Sequence, residues 1–236
     1  MEILFGVLFG IALIGGIVAA YYAYKKGKKA GKRDLFNFIR ACGFDQKVRD
    51  FKILNERALP NATVFVGDSI IQDYNVHEWF FDIPTYNRGI GGDTTEGLLN
   101  RLDVSIFNLA PKNVVLLIGT NDLELTNDKE EVIYQRIKEI VEKINKTIKT
   151  NIYLLSILPT NIKMNREVVG KRSIKRITNL NNLISKIEGA EYIDLFSHLL
   201  DEKNKLNSKY SNEGLHLNQE GYKVITDILK PKVFKL

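Results

Sequence analysis

The 236-residue chain has one cysteine, three histidines and five prolines. A single cysteine excludes an internal disulfide and any paired CxxC motif for metal or redox work. Cys42 therefore reads as a buried apolar filler. Repeats and low-complexity tracts are absent after residue 33, so solenoid and disordered architectures do not apply. Neither a GxxxxGK[ST] loop nor a complete GxGxxG is present, which removes the usual phosphate-binding signatures. Outside the N-terminus the chain also lacks excess charge of one sign. The formal net charge is +6, but Lys25, Lys26, Lys28, Lys29, Lys32 and Arg33 carry most of it. The remaining sequence holds 28 basic and 27 acidic side chains. That balance argues against a nucleic-acid partner, since a domain that binds phosphate backbones carries a distributed basic face.

Ile3 to Tyr24 is an uncharged run of 22 residues. As a helix it would span roughly 30 Å, the thickness of a bilayer core. It shows no polar stripe and no basic residue ahead of it, so it reads as an uncleaved transmembrane anchor rather than a signal peptide. Tyr21, Tyr22 and Tyr24 suit the membrane interface, and the lysine cluster follows at once. The positive-inside rule then places the C-terminal side, and the domain it carries, in the cytoplasm. Gly6 and Gly10 have the spacing that allows two helices to approach closely, so a homodimer through this face is one expectation.

The rest divides into a helical connector over 34–60 that packs on the domain, and a domain over 61–236. Thr63 to Val66, Asn113 to Ile118, Asn151 to Ile157 and Glu191 to Asp194 are short apolar runs bounded by Pro60, Pro111 and glycines. Continuous rather than alternating apolar residues predict strands covered on both faces, as in a parallel sheet. Helical patterns at Glu130–Lys149 and Ile174–Ile187 lie between them. Strand and helix alternating in this way predict a three-layer α/β/α sandwich, with chemistry at the carboxyl ends of the strands.

Four polar segments fall at those ends. Gly67-Asp68-Ser69 follows the first strand, where a serine is either an exposed nucleophile or a helix cap. Arg88-Gly89-Ile90-Gly91-Gly92-Asp93-Thr94-Thr95 follows a short run around Tyr86, and its glycines can turn a backbone N–H into a pocket. In Gly119-Thr120-Asn121-Asp122, the asparagine amide can donate to a developing oxyanion. Finally, Glu213-Gly214-Leu215-His216 puts a carboxylate three residues before a histidine, within reach of its ring. His77 and His198 lack a neighbouring acid in a loop and read as structural.

Each segment alone is ambiguous, but their order and spacing over Asn61 to Leu229 resemble the SGNH/GDSL hydrolases. Asn87 to Gly97 is similar to the branch of platelet-activating-factor acetylhydrolase-like esterases. The resemblance implies a parallel five-stranded, flavodoxin-like sheet and a serine esterase that cleaves a carboxylic ester through an acyl-enzyme. It implies Ser69 as nucleophile on a turn shaped by Gly67 and Asp68, and His216 as its base. The oxyanion would be held by the backbone N–H groups of Ser69 and Gly92 and the amide of Asn121. No metal or organic cofactor is implied. One position departs from the family pattern, which has Asp three residues before the histidine where this chain has Glu213. Glu213 is expected to orient His216, with Asp122 and Asp93 as alternative supports. Short or medium acyl esters, lysophospholipids included, are the expected substrates, and the polar segment Asn161–Lys171 is the expected cover of the pocket. Carbohydrate O-deacetylase and thioesterase activities, or a silent domain that binds an acyl or sugar ligand, are the alternatives.

Overall fold

The computed structural model describes residues 2–234, with the side chains of 1–17, 19, 29, 32 and 33 outside the description. The predicted membrane span over 3–24 and the Gly6/Gly10 face therefore lie largely or wholly outside the described residues. Among the described residues, no helix is long and apolar enough to cross a membrane.

The chain divides into two compact units, Met1–Gly43 and Phe44–Leu236. Helix α1 (Glu2–Asn55) supplies the first unit and its C-terminal part opens the second. In the first unit Leu35, Phe36, Phe38 and Ile39 are exposed. Cys42 is exposed as well, which corrects the expectation of a buried filler. Among the described residues, this unit holds no second element that could bury the helix. Burial begins in the second unit, where Phe51 packs with Ile90 and Val104, flanked by Phe44 and Val48.

After α1 the second unit runs β1 (Thr63–Gly67), α2 (Ser69–Gln72), α3 (Val76–Trp79), β2 (Thr85–Gly89), α4 (Thr95–Leu99), α5 (Leu102–Ser105) and β3 (Asn113–Leu117). It continues with a π-helical turn at Asp122–Thr126, α6 (Glu130–Thr147), β4 (Asn151–Leu155), α7 (Arg166–Val169), α8 (Ile174–Ile184), β5 (Glu191–Ile193) and α9 (Gln219–Phe234). The five strands form one sheet in the order β2-β1-β3-β4-β5, and every pair is parallel. The continuous apolar strands thus meet the condition that predicted them. Side chains alternate across the sheet, so each strand feeds two cores. Val64, Val66, Val114, Leu116, Ile152 and Leu154 face the core built with Ile133, Ile137, Ile140 and Ile144 of α6 and Ile177 and Leu180 of α8. Phe65, Val115, Leu117, Tyr153 and Leu155 face the opposite core, with Ile70, Tyr74, Tyr222, Ile225 and Leu229. This is the three-layer α/β/α arrangement.

Chain order reverses between β1 and β3, the switch point at which open parallel sheets leave a crevice for ligands. In register, Gly67 of β1 pairs with Gly89 of β2 and with Leu117 of β3. The loops that follow these three strands therefore start side by side.

Arg101 lies beneath them, 2% exposed. Nη2 donates to Gly67 O at 2.9 Å and Nη1 to Arg88 O at 2.9 Å, at the ends of β1 and β2. Nη1 also reaches Ser105 Oγ at 2.7 Å, and Nε donates to Asp93 Oδ2 at 2.8 Å. Burial pulls the Arg101 pKa down and the Asp93 carboxylate raises it. Removing one partner of such a buried pair leaves the other charge uncompensated, at a cost of about 3–5 kcal/mol. Arg101→Met is accordingly expected to lower the urea unfolding midpoint sharply. Replacing Asp93 with an apolar residue as well should recover only part of the loss, because the Gly67 and Arg88 carbonyls still lack their donor.

Candidate active site

The nucleophile turn is set by crowding. A Cβ on Gly67 would sit 1.9 Å from the carbonyl oxygen of Leu117 on β3, so no side chain fits. Asp68 caps α2, its Oδ1 accepting the Ile70 N–H at 2.9 Å. Ser69 is then the first residue of the helix, half-buried at its mouth. From behind, α9 grips this turn. Tyr222 Oη donates to Ile70 O at 2.8 Å, and its ring stacks on Tyr74 with centroids 4.9 Å apart. Tyr74 and Thr226 share a further hydroxyl contact of 2.5 Å.

The histidine arrives on the loop that leads into α9. Ser211 Oγ accepts the Gly214 N–H at 2.8 Å, closing a tight turn. Gly214 has φ 89°, and a Cβ there would meet Asn161 O at 2.3 Å. Within this turn Glu213 Oε1 accepts the backbone N–H of His216 and lies 2.9 Å from its Nδ1. A carboxylate at Nδ1 places the ring proton there, which leaves Nε2 as an acceptor. Nε2 is 3.0 Å from Ser69 Oγ. Ser69, His216 and Glu213 thus form one hydrogen-bonded line across 147 residues of sequence. The His216 and Glu213 side chains are 37% and 27% exposed, open to an incoming substrate.

The glycine loop and the asparagine lie on the other side. Gly91 N–H donates to Gln72 Oε1 of α2 at 2.9 Å, and Gly92 adopts φ 74°. The Asn121 amide donates from Nδ2 to Asp93 O at 2.9 Å and accepts at Oδ1 from Arg172 Nη2 at 2.9 Å. Asn121 is therefore tied to the residue after Gly92. The two acids considered as alternatives to Glu213 are engaged elsewhere. Asp93 is paired with Arg101 at 2.7 Å. Asp122, fully buried, accepts the Thr95 N–H at 3.1 Å and the Thr95 hydroxyl. Glu213 is the acid that faces the His216 ring.

Sequence reasoning missed Arg101, Arg172, Gln72 and Tyr222. Arg101 had a signal: it shares the i, i+3, i+4, i+7 spacing of Leu98, Leu102 and Ser105, all buried, although the helix is interrupted at Arg101 between α4 and α5. Arg172 had none, because Thr120 O and the Asn121 amide lie 52 and 51 residues away and its two nearby partners are backbone carbonyls, which no residue type marks. Among the described residues, no group of three or more His, Cys, Asp or Glu side chains is placed to hold a metal ion.

A serine, a histidine and an acid in line beside a buried amide are the parts of an acyl-transfer site. Residues 65–224 match the model of the GDSL-like Lipase/Acylhydrolase family. The chain belongs to this family. It is 30% identical to the human platelet-activating factor acetylhydrolase IB subunit alpha2 over 179 residues, covering 73% of this chain and 76% of that one. It is also 29% identical over 202 residues to an N-acylneuraminate cytidylyltransferase of Escherichia coli, spanning 84% of this chain but only 45% of that enzyme. Among solved structures, a Streptococcus pneumoniae protein provisionally described as a platelet activating factor superposes with TM-score 0.82 at 28% identity. The match covers 86% of this chain and 99% of that one. A GDSL-like lipase from Bacteroides thetaiotaomicron gives TM-score 0.70 at 26% identity, covering 80% and 97%. As a GDSL-family member, the chain is an esterase-type hydrolase.

Beside Ser69, Asp68 is fully buried, and burial pushes its carboxyl up from 3.8 to about 7. Asp93 and Asp122 push in the same direction, while the Ile70 N–H and Arg172 oppose it. A folded pKa above the unfolded one means that the folded state keeps a proton the unfolded state has released. Stability from this group is full below about 3.8 and is lost as pH rises to about 7. Asp68→Asn keeps the cap acceptor without the charge. Its melting temperature relative to the parent is expected to climb between pH 4 and 7, by about 2–4 °C per kcal/mol. A difference independent of pH would mean that the carboxyl does not titrate in this window.

Proposed function

We propose that the chain is a membrane-anchored serine esterase that cleaves short or medium acyl esters through an acyl-enzyme. The observation that carries this reading is the line Glu213 Oε1, His216 Nδ1, His216 Nε2, Ser69 Oγ, with contacts of 2.9 and 3.0 Å. In the first half-reaction His216 Nε2 takes the Ser69 proton as Oγ bonds to the ester carbonyl carbon. The carbonyl oxygen becomes an oxyanion, received by the N–H groups of Ser69 and Gly92 and the Asn121 amide. The imidazolium then protonates the departing alkoxide, and the C–O bond to the alcohol breaks. In the second half-reaction His216 removes a proton from water, which attacks the acyl-serine. Collapse of the second tetrahedral intermediate returns the proton to Ser69 and releases the acid. Glu213 holds the Nδ1–H tautomer and offsets the charge on the imidazolium throughout.

A short acyl group is favoured by the similarity to subunits named for acetylhydrolysis of platelet-activating factor. A second reading, removal of an acetyl group from an acylated sugar, is favoured by the match to part of an enzyme named for N-acylneuraminate. Anchoring through residues 3–24 with the enzyme in the cytoplasm rests on the apolar run and the lysines that follow it. A cytoplasmic site favours the lipid-derived ester.

Purified chain assayed on p-nitrophenyl esters from acetyl to palmitoyl is expected to prefer the short end. Ser69→Ala should abolish turnover and labelling by a fluorophosphonate, and Glu213→Gln should lower kcat by about 10–1000-fold. Turnover that survives Ser69→Ala overturns the mechanism. Turnover unchanged in Glu213→Gln removes Glu213 from it. For topology, the full chain is expected to stay with membranes through alkaline carbonate. Cys42, exposed and the sole cysteine, should react with a membrane-impermeant maleimide only after the cells are opened. Labelling of intact cells would place the enzyme outside.

A further inference from the structure

Arg172 closes the segment Asn161–Lys171 and is 5% exposed. Its guanidinium spends its donors on two different parts of the molecule. Nε donates to Thr120 O at 2.9 Å and Nη2 to Asn121 Oδ1 at 2.9 Å. Nη1 donates to Val168 O at 3.0 Å and Val169 O at 3.2 Å, at the C-terminal end of α7. One side chain therefore joins the loop after β3 to the segment that borders the site.

These contacts decide which way the Asn121 amide points. A guanidinium carries donors and no acceptor, so only Oδ1 can face it. The NH₂ end must then face Asp93 O, which accepts one of its hydrogens at 2.9 Å. With both ends held, the direction of the second amide hydrogen is set by the amide plane. Without the guanidinium the amide would be held at its NH₂ end alone, and its plane, which aims the second hydrogen, would be free to rotate about that one bond. A cation on Oδ1 also polarises the amide and strengthens its N–H groups as donors. The far end of the segment is keyed to the histidine loop. Asn161 N–H donates to Gly214 O at 2.8 Å, and Asn161 Nδ2 donates to Leu206 O at 3.0 Å.

We infer that Arg172 is a positioning residue for the reaction: it sets the Asn121 amide as oxyanion donor and anchors the segment over 161–172 to that amide. The inference rests on the assignment of Asn121 under the proposed function.

The test is a double-mutant cycle in the full chain, reading kcat and KM on p-nitrophenyl acetate for Arg172→Met, Asn121→Ala and the pair. Loss of one oxyanion donor costs about 100–1000-fold in kcat, which is the expectation for Asn121→Ala. Arg172→Met is expected to lower kcat by about 10–100-fold with KM changed less than about threefold. The pair should be no slower than Asn121→Ala alone, because Arg172 acts through that amide. Arg172→Lys, which keeps the charge and one donor to Oδ1, should recover part of kcat. Losses that multiply in the pair, or a loss confined to KM, overturn the inference and leave Arg172 a holder of the segment. Full activity in Asn121→Ala, with Ser69→Ala still inactive, overturns the oxyanion assignment instead. If Arg172→Met does not fold, as judged by thermal unfolding, the same cycle with Arg172→Lys decides.

Discussion

The guanidinium of Arg101 is the contact on which the arrangement of this domain most depends. It bonds the carbonyls of Gly67 and Arg88, where β1 and β2 end, and the carboxylate of Asp93 in the glycine loop. Strand ends in a parallel sheet splay outward, and their last carbonyls need donors. Arg101 supplies several donors from one rigid plane, so the nucleophile turn and the glycine loop diverge from a shared point. Close packing completes the constraint. A Cβ on Gly89 would lie 2.2 Å from Gln72 N, and one on Gly97 would lie 2.0 Å from Asp93 Oδ1. Neither α2 nor the loop can shift without breaking a hydrogen bond or meeting an atom.

Placing this much charge inside a domain is costly. Asp68, Asp93, Asp122, Arg101 and Arg172 are all buried, none more than 5% exposed. Burial pulls both arginines' pKa values down and pushes Asp68 and Asp122 up. A hydrophobic cluster of equal volume would often be as stable or more so. What ionic and hydrogen-bonded groups add is direction. Each side chain given a role in the proposed reaction has a second side that is held: Asn121 by Arg172, His216 by Glu213, and the Ser69 turn by Tyr222. A site fixed in this way needs little rearrangement as charge develops.

Much of the fold was legible in short stretches. The apolar runs at Thr63, Asn113 and Asn151 became adjacent parallel strands because a side chain apolar on both faces can be covered only from both sides. Glu213 could be paired with His216 from spacing alone, since three residues and a glycine suffice to close a turn. Boundaries were less exact. α6 ends at Thr147 and α8 at Ile184, short of Lys149 and Ile187 where the helical patterns stop. Cys42 was misjudged because burial depends on what packs against a helix, which the residue type does not state.

By itself, the sequence determined the layer architecture, the four polar segments at the strand ends and the pairing of Glu213 with His216. All of these rest on periodicity or short spacing, which act between residues close in the chain. Only the tertiary structure decided that Ser69 Oγ meets His216 Nε2, that Asp93 belongs to Arg101 and that Arg172 holds Asn121. Those contacts join residues separated by 147, 8 and 51 positions. Even the shortest depends on where α4 and α5 sit under the sheet. A buried charge takes whichever partner the packing brings within about 3 Å, and no local pattern in the chain records that choice.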